Sequence, residues 1–155
     1  MALNRHPSSG ASIELLYEAL SIFREKVTNA VSWAVDGSLS LALQGLNVAP
    51  HDIDILTDVD GAYRIQESRM DFAVKPLGHS KSEKYDSHFG VFHIKGVRVA
   101  VMGDLRVFRN GSWGPVQNPH TVEVIMVEFQ GAMIPVVSKG NQERTGYLHE
   151  RMRRS

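Results

Sequence analysis

Two aspartates, Asp52 and Asp54, and a glycine–serine pair ahead of them, Gly37 and Ser38, are the residues whose types and spacing can do chemistry. In an extended strand, side chains two apart point to the same side. Within Asp52-Ile53-Asp54-Ile55 the carboxylates therefore share one face, and Ile53 and Ile55 face a core on the other. Backbone positions about 7 Å apart let the two carboxylates converge on one hard cation such as Mg²⁺. Gly37 lets the backbone approach a phosphate closely, and the Ser38 hydroxyl can donate to it. A turn that enters a helix adds free N–H groups and the positive end of the helix dipole. Each half also has an ordinary structural reading. Gly and Ser are common where strands give way to helices, and acids are common on solvated strand faces.

The elements that must position these residues lie between Trp33 and Asp58. The pattern predicts an apolar strand ending at Val35 and a turn at Asp36-Gly37-Ser38. A short apolar helix from about Leu39 to Leu46 follows, then a loop containing Pro50 and a second strand carrying Asp52 and Asp54. Ser38 is placed to cap the helix, Asp36 to shape the turn rather than to bind a ligand, and His51 to point away from the acids.

A Gly-Ser pair, a spacer of thirteen residues and Asp-x-Asp between apolar residues together resemble the signature of the nucleotidyltransferase superfamily with the DNA polymerase β-like fold. The resemblance is greatest to the minimal nucleotidyltransferases and the lincosamide and aminoglycoside adenylyltransferases. It covers Trp33 to Asp58 well and the chain to Asp104 loosely. It implies an α+β nucleotidyltransferase-like domain, a mixed β-sheet with helices packed mainly on one face. It also implies that Gly37 and Ser38 hold the triphosphate, and that Asp52 and Asp54 are the catalytic carboxylates and the ligands of Mg²⁺. The implied reaction is Mg²⁺-dependent transfer of a nucleoside monophosphate from a nucleoside triphosphate, ATP in the first instance, to a hydroxyl acceptor. A homodimer is compatible with the resemblance.

In such proteins a third carboxylate sits on a later strand between apolar residues. The matching stretch here is Gly96 to Asp104, where Val97, Val99 and Val101 make one face and Arg98, Ala100 and Met102 the other. The position for the acid is Ala100, which can neither bind metal nor take a proton. A two-metal site is then short of one ligand. Asp104 has the parity of Ala100 but lies about 13 Å farther along an unbroken strand, unless Gly103 introduces a bulge. Glu123 and Asp86 are the remaining substitutes. A second class of function follows: a nucleotidyltransferase-fold protein that binds a nucleotide or a partner, regulatory or antitoxin-like, without efficient turnover.

The rest of the chain supplies a scaffold. Ile13 to about Asn29 repeats apolar residues at helical spacing behind Ser12, after a flexible lead-in over 1–11. Val59 to about Met70 reads as a second surface helix, and Phe72 to Val74 as a short strand stopped by Pro76. Leu77 to Ser87 is polar, with the look of a loop or lid. Hairpins are predicted at His88–Met102 around Lys95-Gly96 and at Thr121–Val137 around Gln130-Gly131, with a short strand at Leu105–Phe108 and a turn at Arg109–Ser112 between them. Ser138 caps a last helix to about Arg153, with Tyr147, Leu148 and Met152 inward and Arg144, Arg151, Arg153 and Arg154 outward. His79, His88 and His93 show no helical metal-ligand spacing. Lys81, Lys84 and Arg144 are candidate triphosphate contacts by charge alone.

A chain of 155 residues reads as a single domain, 1–155. Seventeen basic residues balance seventeen acidic ones, so charge does not point to nucleic acid or to a membrane surface. There is no cysteine, which excludes disulfides and thiolate metal sites. No apolar run is long enough to cross a membrane as a helix. The expectation is a cytoplasmic protein.

Overall fold

The computed structural model describes residues 13–27, 29–68 and 73–144. The expectations for 1–11, for Phe72 and for Tyr147, Leu148, Arg151, Met152, Arg153 and Arg154 lie outside them. The elements are α1 (Ile13–Lys26), β1 (Trp33–Asp36), α2 (Gly37–Leu43), β2 (Ile53–Thr57), α3 (Val59–Ser68), β3 (Ala73–Lys81), β4 (Tyr85–Ile94), β5 (Val97–Arg109), β6 (Ser112–Trp113), β7 (Val124–Phe129), β8 (Ala132–Val137) and α4 (Lys139–Arg144).

The strands form a mixed sheet in the order β3-β4-β5-β2-β1-β8-β7, with β6 on the end of β5. β1 pairs antiparallel with β2 and parallel with β8, and β2 pairs parallel with β5. β2, which carries Asp54, is thus central, and Asp52, expected in the same strand, lies just before its first residue. One face carries the main core. Val35, Ile53, Ile55, Val97, Val99, Val101 and Val136 pack there against Leu16, Ala19, Leu20 and Phe23 of α1 and Ala62 and Ile65 of α3. The buried positions of α1 recur at steps of three and four, the spacing of a single helical stripe. The opposite face has a smaller cluster, Ala34, Leu56, Leu105 and Val137, to which no described helix contributes. The described helices therefore cover the sheet mainly on one side, in line with the α+β expectation.

Three connections turn on a residue followed by glycine, Lys95-Gly96, Asn110-Gly111 and Gln130-Gly131, with positive φ at both positions. That conformation matches the twist of two antiparallel strands. Two helix starts are tied by side chains. Asp58 Oδ1 accepts from the Gly61 N–H at 2.6 Å and Ser138 Oγ from the Asn141 N–H at 3.1 Å.

The largest departure from the sequence reading is the stretch expected as a stopped strand and a lid. β3 runs through Pro76 and pairs with β4, joining His79 to His88, Ser80 to Ser87 and Lys81 to Asp86. It is an edge strand, where a missing N–H is tolerated, and its register shifts on both sides of Lys75. Most of its side chains are exposed, and only Leu77 is buried. Ser82 closes the hairpin, its hydroxyl accepting from the Tyr85 N–H at 3.0 Å. The expected separate strand at Leu105–Phe108 is also corrected: it is the continuation of β5.

Candidate functional site

β1 ends at Asp36, directly opposite Asp54 of β2, and Asp54 is in turn level with Ala100 of β5. Register partners share a face of the sheet. Asp36, Asp54 and Ala100 therefore lie in a row across three strands, on the face that the described helices leave uncovered. Asp52 stands two residues before Asp54, on the same face. The pairing expected from alternation holds: Ala100 occupies the place beside Asp54.

Burial differs from the expectation. Asp54 is only 8% exposed and Asp36 7%. The side chain of Asp52 keeps 31% of its surface. The turn is also built differently. α2 begins at Gly37, not Leu39, and closes at Leu43, and its N-cap is Asp36 rather than Ser38. The Asp36 carboxylate accepts from the Gly37 N–H at 2.9 Å. Gly37 has φ 66°, a left-handed conformation that disfavours any residue with a Cβ. Ser38 then lies in the first turn of the helix, nearly buried.

A helix of two turns is not stable by itself, and α2 is held by side chains. Ser40 Oγ donates to the Val137 carbonyl at 2.7 Å, and Gln44 Nε2 donates to the same carbonyl at 2.9 Å. The Gln44 side-chain oxygen accepts from the Lys139 N–H at 2.9 Å. These bonds fix the turn at Gly37 against β8 and the start of α4.

Because β1 is antiparallel to β2 and β2 parallel to β5, the last residue of β1 and the first residues of β2 and β5 meet at one end of the sheet. That end holds Gly37, Ser38, Asp52 and Arg98. The Arg98 guanidinium, from the start of β5, reaches Asp52 Oδ2 at 3.5 Å. His93 of β4 is the register partner of Arg98. Arg98 had one signal, its position two residues before Ala100 on the same face.

The substitutes for a third acid are engaged elsewhere. β5 carries one extra residue between Gly103 and Arg106 against His88 and Asp86 of β4. Asp104 adopts φ 52° there, so the bulge exists. Its carboxylate accepts from Asn118 Nδ2 at 2.9 Å and ties down the segment before β7. Glu123 Oε1 accepts from the Ser138 hydroxyl at 2.7 Å. Asp86 Oδ1 lies 2.7 Å from His79 Nε2. Among the described residues, no group of three or more His, Cys, Asp or Glu side chains is arranged to hold a metal ion by itself. Lys81 stands over the Trp113 ring, in the strand paired to Asp86 and away from the acids.

Comparison with known proteins adds three findings. The model of the aminoglycoside-2''-adenylyltransferase family matches residues 18–151. The fold is similar to that of a presumed nucleotidyltransferase from Thermotoga maritima, with 34% identity, a TM-score of 0.80 and coverage of 96% of this chain and 93% of that one. It is also similar to a lincosamide antibiotic adenylyltransferase solved with lincomycin, at 16% identity and a TM-score of 0.54, covering 87% of this chain and 85% of that one. No curated protein matches the sequence.

Proposed function

The chain belongs to the aminoglycoside-2''-adenylyltransferase family, and from that premise we propose that it transfers a nucleoside monophosphate from a nucleoside triphosphate, ATP in the first instance, to a hydroxyl acceptor with the help of Mg²⁺. Family and neighbours support nucleotidyltransferase activity broadly. The donor, the metal and the acceptor are our own reading. The observation that carries it is the meeting, at one end of the sheet, of the Asp52–Asp54 face with the Gly37–Ser38 turn.

In this reading Gly37 and Ser38 hold the phosphates, and Asp52 and Asp54 hold the metal. The donor set fits Mg²⁺, which is commonly bound by one or two carboxylates together with substrate phosphates and water rather than by a complete protein cage. The guanidinium beside Asp52 marks the same place as one that attracts positive charge. Bound there, the ion would neutralise charge on the phosphates. In this reading the turn at Gly37 fixes the triphosphate, and the half-exposed end of the sheet at Asp52 and Arg98 is where an acceptor would approach. The family's name makes an aminoglycoside hydroxyl the first acceptor to try.

One observation favours a second reading. Ala100 stands level with Asp54, so no carboxylate is available there to take the acceptor's proton. A nucleotide-binding protein with little turnover would look like this. Incubation with ATP, Mg²⁺ and an aminoglycoside, with pyrophosphate release as readout, tests both. Release above that of an Asp52→Asn control is the expected result. ATP binding without release selects the second reading, and failure to bind ATP refutes both.

A further inference from the structure

Arg98 is a basic group beside the proposed metal carboxylates that the proposed function does not use. Its side chain is 46% exposed, and its contact to Asp52 is long, 3.5 Å. A half-exposed pair at that distance contributes little to stability and exchanges readily. The pair also has no local origin, since the two residues are 46 positions apart and are brought together only by the parallel pairing of β2 with β5. Arg98 shares its face and its end of the sheet with Asp52 and with the Gly37–Ser38 turn.

We propose that Arg98 is a resident cation that exchanges with a divalent metal at Asp52 and, once displaced, binds the phosphates of the nucleotide. The inference rests on the metal and phosphate roles proposed above. Without a ligand, the guanidinium neutralises part of the charge of Asp52. A divalent ion at Asp52 takes over that carboxylate. The freed guanidinium, always protonated and shaped for phosphate oxygens, then faces the triphosphate on the adjacent turn. Arg98 thus opposes bare metal and favours metal with nucleotide, so the two arrive together.

The signature is a pair of effects with opposite signs, which a merely structural arginine would not give. Mn²⁺ is titrated into nucleotide-free protein, with electron paramagnetic resonance counting the free ion. Arg98→Gln should tighten Mn²⁺ binding about threefold or more, the size expected when a like charge several ångströms away is removed from a water-rich site. In saturating Mn²⁺ the same variant should bind a non-hydrolysable ATP analogue about fivefold or more weakly, the loss of a charge-assisted phosphate contact. Arg98→Lys should stay near wild type in the metal titration, because it keeps the charge. An Arg98→Gln protein whose Mn²⁺ affinity is unchanged or weaker overturns the inference, as does one that loses affinity for both ligands. Asp52→Asn separates the layers. If Asp52→Asn loosens Mn²⁺ while Arg98→Gln does not tighten it, the inference alone fails. If Asp52→Asn leaves Mn²⁺ binding unchanged, the metal reading of Asp52 fails and the inference with it.

Discussion

Asp54 is a nearly buried carboxylate with another carboxylate, Asp36, as its direct cross-strand partner and Ala100 on its other side. In the proposed reading Asp52 and Asp54 supply the hard oxygen ligands of the metal. Replacing both Asp52 and Asp54 with Asn should therefore abolish Mg²⁺-dependent ATP binding while leaving the fold intact. Calorimetric titration together with a circular dichroism melt checks both halves, and unchanged Mg²⁺-linked affinity in a folded double variant would overturn the assignment. Ala100→Asp probes the missing acid. General-base assistance typically contributes ~10²–10⁴-fold, so a rise in turnover of at least about tenfold is expected, below that range because the new acid must also find its geometry. A further negative charge at a nearly fully buried position should lower stability without metal and recover it when Mg²⁺ is added. If the wild type already turns over fast and Ala100→Asp slows it, another group fills the role. At this scale the sequence was informative about types and spacing, and it located Ala100 beside Asp54. It could not show the Arg98 contact, because a pairing across 46 residues leaves no local pattern, and it placed the helix cap at Ser38, two residues after the observed Asp36.

At the scale of elements, what was legible followed from burial. α1, α3, the β4–β5 and β7–β8 hairpins and the central motif each present apolar residues at the period of their structure. β3 does not. Its polar side chains stand on an edge, where the order comes from main-chain bonds to β4 that need no particular side chain. A polar run with the look of a loop is therefore strand. The value of the legible pattern can be measured at Leu20, 1% exposed and packed in the main core. Leu20→Ala should cost about 2–5 kcal/mol, the transfer term plus the cavity left behind, read from urea denaturation. Tyr17, on the same helix, stacks against Phe129 with ring centroids 3.7 Å apart. Burial first, and the Glu14 carboxylate second, raise its pKa above the ordinary 10.0. The unfolded chain therefore loses that proton before the folded one does. Stability is unaffected below the ordinary value and falls as pH rises from there through the folded pKa. Tyr17→Phe should lose less stability than wild type between about pH 9 and pH 11, and an identical alkaline loss would show that Tyr17 does not titrate with the fold.

For the whole molecule, the main core and the proposed site lie on opposite sides of a single sheet. The main core lies on one side. Asp36, Asp54 and Ala100 lie on the other, anchored through strands that the core already holds in register. A ligand at the acid end should then act on the folding equilibrium as a whole rather than on a separate lid, because the segment expected to form a lid is strand. Binding to the native state alone stabilises by about 2.7 kcal/mol at a hundredfold excess over Kd. For a chain of this size, each kcal/mol raises Tm by roughly 2–4 °C. ATP with Mg²⁺ should accordingly raise Tm by about 5–10 °C, as one cooperative transition, and EDTA should cancel the increase. ATP without a divalent ion should give little, since its phosphates then meet the Asp52 and Asp54 carboxylates with no metal between them. A shift of equal size with and without Mg²⁺, or one that survives the Asp52→Asn, Asp54→Asn double substitution, would place the nucleotide away from this end of the sheet.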